Sequence, residues 1–166
     1  MNRGVKSLLF VSRRNSFRSV LAQAYLTHIG GHAFVAESCG QPGEVSGAFH
    51  PAAVAALQVA RIPLPAQPPK SWTELLQKGR PRLDIVVTLD ERTITSQPGW
   101  PGQPINALWA FEDAASSYDL DSGNSRPAMQ VLFALQRRLD LLVSLPLHGG
   151  DPTAIRADLR DLGRMS

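Results

Sequence analysis

The chain has 166 residues, 43% of them hydrophobic and 19% charged, with a formal net charge of +3. This length suits one domain with a sizeable core, and the balance excludes an intrinsically disordered chain. The charge excess is too small to indicate a nucleic-acid partner by itself, and no apolar run reaches membrane-spanning length.

The opening "MNRGVKSLLFVS" has too short an apolar stretch for a secretory signal, so a cytoplasmic protein is expected. "SLLFVS" (7–12) is a continuous apolar run of buried-strand length. Beyond a polar loop, Phe17, Val20, Leu21 and Ala24 recur at helical spacing until Gly30-Gly31. "AFVAES" (33–38) predicts a second strand. "HPAAVAALQVARI" (50–62) predicts a helix, with Pro51 in the first turn where its missing N–H is not needed. After an irregular connector, "SWTELLQK" (71–78) reads as a short helix and "LDIVVTL" (83–89) as the clearest buried strand. "INALWAF" (105–111) is a weaker strand. Leu132, Leu135, Leu139 and Leu142 then repeat on one face of a helix from about Arg126 to Ser144. The residues from His148 form a polar tail with room for one short helical turn.

Strands alternating with helices, and apolar on both faces, predict an α/β fold. The expected architecture is a three-layer, doubly wound, four-stranded parallel sheet with a phosphate-binding loop after the first strand. Residues 1–147 make the domain and 148–166 the polar C-terminal tail.

Cys39 is the only cysteine, which excludes an intramolecular disulfide, a Cys-x-x-Cys redox pair and a multi-cysteine metal site. It reads better as a small core residue than as a reactive thiol. His28, His32, His50 and His148 lack the spacing of a ligand cluster, so neither metal nor cofactor is expected.

The loop "VSRRNSFRS" (11–19) lies at the carboxyl end of the first strand, where ligands bind in such sheets. A strand-to-helix loop turns backbone N–H groups inward, and the following helix adds its positive dipole end. Arg18 offers a planar fork for two oxygens of a phosphate-like ion, while Asn15 and Ser16 can hold a strained turn open. The residues alone equally allow a polar loop whose arginines face water.

"LLFVSRRNSFRSVLAQAYL" (8–26) resembles the start of the low-molecular-weight protein tyrosine phosphatase and arsenate reductase superfamily, whose signature is Cys-x5-Arg-Ser. Asn15, Ser16, Arg18 and Ser19 match, and Ser12 stands in the cysteine position. "FVAESCG", "HPAAVAALQVARIPL" and "LDIVVTLDE" are similar to the family's next strand, helix and strand, with Ala60-Arg61 departing from its Gly-Ile-Asp continuation. "ALWAFEDAA" resembles the segment carrying the general acid, with Ala114 in place of a proline.

The resemblance implies that Ser12 occupies the nucleophile position, Arg18 binds the oxyanion and Asp113 stands where the general acid does. Arg13, Arg14, Asn15, Ser16, Phe17, Arg18 and Ser19 form the oxyanion-binding loop. A thiol of ordinary pKa about 8.5 becomes an excellent nucleophile beside a helix N-terminus, whereas a serine hydroxyl needs an adjacent base or metal. Arg13 and Arg14 cannot accept the proton of Ser12. Related thioredoxin-coupled reductases need further cysteines after the third strand, and "TLDERTITSQPGW" has none.

The function expected is therefore binding of phosphate, sulfate or an arsenate-like oxyanion, free or on a phosphorylated protein or small molecule, without ordinary cysteine-based catalysis. Two alternatives stand beside it. One is an active phosphatase or arsenate reductase-like enzyme, with Ser12 activated by an unseen group or introduced in place of a native cysteine. The other is a regulatory interaction module using the basic loop. Asp113 reads as a pocket residue or a solvated loop acid. Trp109 and Phe111 are candidates for the site's wall, Trp109 equally for the core. Arg13 and Arg14 either ring the pocket or face solvent.

Overall fold

Lys6–Val11 forms β1, and the computed structural model describes it within residues 5–110, 126–147 and 151–165. β1 pairs in parallel with β2 (Phe34–Cys39) on one side and β3 (Ile85–Thr88) on the other. β4 (Ile105–Leu108) adds to β3, also in parallel, giving the order β2-β1-β3-β4. Register is set by burial on both faces: Leu8 and Phe10 point to one side of the sheet, Leu9 and Val11 to the other, and all four are fully buried.

The first face carries the larger core. Here α1 (Arg18–Gly30), α2 (Pro51–Ala60) and α3 (Arg126–Val143) pack on Leu8, Phe10, Ile85 and Val87. The leucines at 132, 135, 139 and 142 face inward as their spacing predicts. His50 caps α2 by accepting the Ala52 N–H on Nδ1 at 3.1 Å, with Pro51 in its first turn. The helix ends at Arg61, in the left-handed conformation (φ 58°).

The opposite face is covered by shorter pieces over Leu9, Val11, Cys39 and Val86. The helix expected at 71–78 is a 3-10 turn, Trp72–Leu76, begun by the Ser71 hydroxyl accepting from the Thr73 N–H. A second 3-10 segment, Glu91–Ser96, follows β3 and is capped by Asp90. Trp72 and Trp100 meet edge to face, 6.0 Å between centroids, in this smaller core.

The strand order places a topological switch point between β1 and β3. The chain leaves β1 toward one edge over the first face, and leaves β3 toward the other edge over the second. Right-handed crossovers require this arrangement, and it opens a crevice at the strand carboxyl ends.

One expectation is corrected. The segment read as a polar tail with one short turn holds a 12-residue helix, α4 (Pro152–Gly163). Asp151 caps it by accepting the Thr153 N–H at 3.0 Å, and Pro152 opens it. Ile155, Leu159 and Leu162, at i, i+4 and i+7, bury into the main core. Three apolar residues among polar ones make a weak sequence signal, but they form a complete stripe once wound. Among the described residues no helix is long and apolar enough to cross a membrane.

Candidate active site

Residues 12–18 leave β1 and curl at the switch point before entering α1. Their carbonyls are taken up by the segment after β2. Arg13 O accepts from Gln41 N at 2.9 Å, Arg14 O from Ser46 N at 3.0 Å and Ser16 O from His50 N at 2.9 Å. In a trans peptide the N–H points opposite the preceding carbonyl, so the amides of Arg14, Asn15 and Phe17 turn away from that outer wall. Phe17, at the helix N-cap, makes no side-chain cap bond, and no acidic residue occupies the first turn of α1. The positive end of the helix is thus not offset by its own sequence. Gly40 permits the loop's approach to β2: a Cβ there would stand 2.8 Å from Arg13 O and 3.1 Å from Asn15 N.

Asn15 is the structural pin. It sits in the left-handed region (φ 52°), which asparagine tolerates better than most residues. Its Nδ2 donates to Ser19 Oγ at 2.9 Å and to Ser38 Oγ at 2.8 Å, while its Oδ1 accepts the Lys70 N–H at 2.9 Å. Both amide protons and the carbonyl are therefore used, in a side chain 1% exposed. Ser38 in turn donates to Gln23 Oε1 at 2.5 Å. One residue ties the loop to α1, β2 and the 67–72 connector.

Ser12 is 2% exposed, and its hydroxyl donates to Ser19 Oγ at 2.7 Å. Ser19 is a hydroxyl, not a base, and cannot draw off the Ser12 proton at neutral pH. Arg18 is 4% exposed and reaches across to the end of β3. Its Nη2 lies 3.0 Å from Asp90 Oδ2, and its Nη1 donates to Leu89 O at 3.4 Å. Asp90 is itself fixed: Oδ1 accepts the Arg92 N–H at 3.1 Å, and its carbonyl accepts the Thr93 hydroxyl at 2.8 Å.

The loop residues named from the sequence, Ser12 through Ser19, are thus brought together. Arg13 and Arg14 are half-buried. Trp109 belongs to the core, fully buried with its indole N–H on Leu159 O at 2.8 Å. Asp113, Ala114 and Phe111 lie outside the described residues. Cys39 is fully buried beside Leu9 and Val11, and burial pushes its thiol far above the ordinary range, with the nearby Lys70 charge opposing less strongly. Among the described residues no cluster of His, Cys, Asp or Glu is arranged for a metal ion.

Sequence reasoning passes over Asp90, Ser38, Gln23 and the Lys70 amide. Only Asp90 carries a usable signal, as an acid at the carboxyl end of the clearest buried strand and at the switch point.

The profile of the family described as low molecular weight phosphotyrosine protein phosphatase matches residues 7–121. A glutaredoxin arsenate reductase of Synechocystis is 28% identical over 109 residues, 66% of this chain and 79% of that protein. An arsenate reductase solved in the phosphate binding state superposes with a TM-score of 0.66 at 25% identity, over 84% of this chain and 97% of that one. A thioredoxin-dependent arsenate reductase of Corynebacterium glutamicum gives 0.63 at 21% identity, over 84% of this chain but 61% of that one. A low molecular weight protein tyrosine phosphatase of Streptococcus pyogenes gives 0.58 at 18% identity, over 84% and 93%. The last two likenesses speak for the fold alone.

Proposed function

Because the chain belongs to the low molecular weight phosphotyrosine protein phosphatase family, we propose that it binds a phosphate- or arsenate-like oxyanion at residues 12–19 without cysteine-based turnover. The observation that carries this is the Asn15 network. Three side-chain hydrogen bonds hold a left-handed residue in place, so the loop is shaped before any ligand arrives. Arg18, braced against Asp90 and Leu89, supplies the charged donor. The similarity to an arsenate reductase in its phosphate binding state supports the same ligand chemistry.

The hydroxyl of Ser12 argues against turnover. A serine nucleophile needs a partner that takes its proton, and the partner at 2.7 Å is another hydroxyl. Reduction of arsenate through a thiol relay needs more than one cysteine, and the chain has Cys39 alone, sealed in the smaller core. Ser12 also leaves the loop without the negative charge that a thiolate would set against an anion.

Titration with inorganic phosphate, followed by NMR of the backbone amides, tests the reading. Amides of residues 12–18 should shift saturably. Arg18→Lys should weaken binding by about tenfold or more, since the charge is kept but the planar fork is lost. No loop perturbation at millimolar phosphate would overturn the proposal.

A further inference from the structure

α4 is fastened to the carboxyl end of β4. The buried Trp109 indole donates to Leu159 O at 2.8 Å. One turn further on, a Cβ at Gly163 would stand 2.6 Å from both Leu108 O and Trp109 Cδ1, so helix and strand meet with no side chain between them. From α3, Arg138, 6% exposed, donates to Ala134 O at 2.9 Å and to Met165 O, holding the far end of the helix.

From Trp109 a short run of bonds leads to the anion loop. The Trp109 N–H donates to Thr88 O at 2.8 Å. The next residue, Leu89, donates its N–H to Val11 O at 2.8 Å and accepts Arg18 Nη1 on its carbonyl. Asp90 then carries the ion pair to Arg18.

We propose that α4 is a regulatory strap on the anion site. Docked, it clamps the end of β4, and through Trp109 and Thr88 it steadies the 88–90 segment that braces Arg18. Lifted, it frees Trp109 and loosens that brace, so anion affinity falls. The helix suits this role because it buries only three apolar side chains, Ile155, Leu159 and Leu162, and a small docked unit opens at lower cost than the sheet. Whatever competes for α4 or for Trp109 would then act on the site from a distance. This rests on the oxyanion reading of the loop.

Linkage makes the idea measurable. If docking of α4 raises phosphate affinity by some factor, phosphate must favour docked α4 by the same factor, and couplings of this kind are typically about 5- to 150-fold. Amide exchange of Ile155, Leu159 and Leu162 in the full chain, with and without saturating inorganic phosphate, reads one direction. Phosphate titration of Asp151→Ala, which removes the cap of α4 far from Trp109, and of Gly163→Val reads the other. We expect α4 amides to exchange faster than those of Leu9 and Phe10, to slow about fivefold or more with phosphate, and both variants to bind phosphate correspondingly more weakly. Phosphate binding with unchanged α4 exchange and unchanged variant affinity would overturn the strap and leave the anion site standing. Exchange of α4 only at the rate of β1 would overturn it too. Absence of phosphate binding by the parent chain would remove the anion reading and the strap with it.

Discussion

Arg18 and Asp90 meet across the crevice between β1 and β3, guanidinium Nη2 3.0 Å from carboxylate Oδ2, and both side chains are nearly buried. Asp90 neutralises the arginine in the absence of ligand and aims it, because the carboxylate is itself held by the Arg92 N–H. An incoming anion therefore meets a charge already positioned and already partly satisfied.

Removing that partner should cost stability and change the response to phosphate. Asp90→Ala removes the carboxylate that stands 3.0 Å from the Arg18 guanidinium, and breaking a buried pair of this kind typically costs about 3–5 kcal/mol. Phosphate should then stabilise the variant more than the parent, since the anion supplies the missing counter-charge. Urea unfolding of both proteins, with and without phosphate, measures the two effects together. A variant as stable as the parent would contradict the structural weight given to this pair.

Asn15 combines a backbone demand with a hydrogen-bonding one, and two substitutions separate them. Asn15→Gly keeps the left-handed conformation but loses three side-chain bonds. Asn15→Ala loses the bonds and adds strain of roughly 1 kcal/mol. Each buried group left unpaired costs about 1–3 kcal/mol, so the glycine variant should already be markedly less stable, with alanine lower still. Denaturant midpoints give the order, and equal midpoints would show that strain at this position is negligible.

Ser12→Cys tests whether the nucleophile is what the site lacks. A thiol there would lie beside Ser19 and the open start of α1, conditions that favour a thiolate. Hydrolysis of p-nitrophenyl phosphate is expected to appear in this variant and to be absent from the Ser12 protein. Asp113→Asn in the same background should slow an aryl phosphate with a poor leaving group by about 100-fold or more, the usual contribution of a general acid. Turnover by the Ser12 protein would refute the non-catalytic reading. An inert Ser12→Cys protein that still binds phosphate would point to Ala114 or the two loop arginines.

A fourth prediction concerns alkaline pH. The Tyr25 hydroxyl donates to Asp140 Oδ1 at 2.6 Å, and its pKa is pushed up to about 12, chiefly by burial and then by this bond to the carboxylate. The unfolded chain loses the proton near 10 while the folded chain keeps it. The stabilisation is thus fully present below pH 10 and is lost as pH rises from there to about 12. Tyr25→Phe should be less stable at neutral pH and should show a shallower decline across that window. Thermal melts from pH 8 to 11 compare the slopes, and parallel curves would remove Tyr25 from the account.

The strands, the loop and the two long helices are legible in the sequence because their signals are local. Apolar runs at 7–12 and 83–89, the leucine repeat of α3, and an asparagine and arginine between strand and helix all act within a turn or two of themselves. The nine residues from Val11 to Ser19 already contain the loop's curvature, its charge and its hydroxyls. Reading fails where several weak signals must add. The three spaced apolar residues of α4 look like a tail until the helix finds a groove to fill.

What the sequence determines by itself is the chemistry available at the carboxyl end of β1: an arginine fork, hydroxyls, backbone amides and no thiol. What only the tertiary structure decides is which partners those groups meet. Asp90 stands 72 residues from Arg18, Ser38 lies 23 from Asn15 and the Lys70 amide 55 from it. No local preference encodes such pairs. The crossover geometry brings them together, setting β2 and β3 on either side of β1, and burial then makes each pairing obligatory, because a polar group left alone there costs more than the chain can spare.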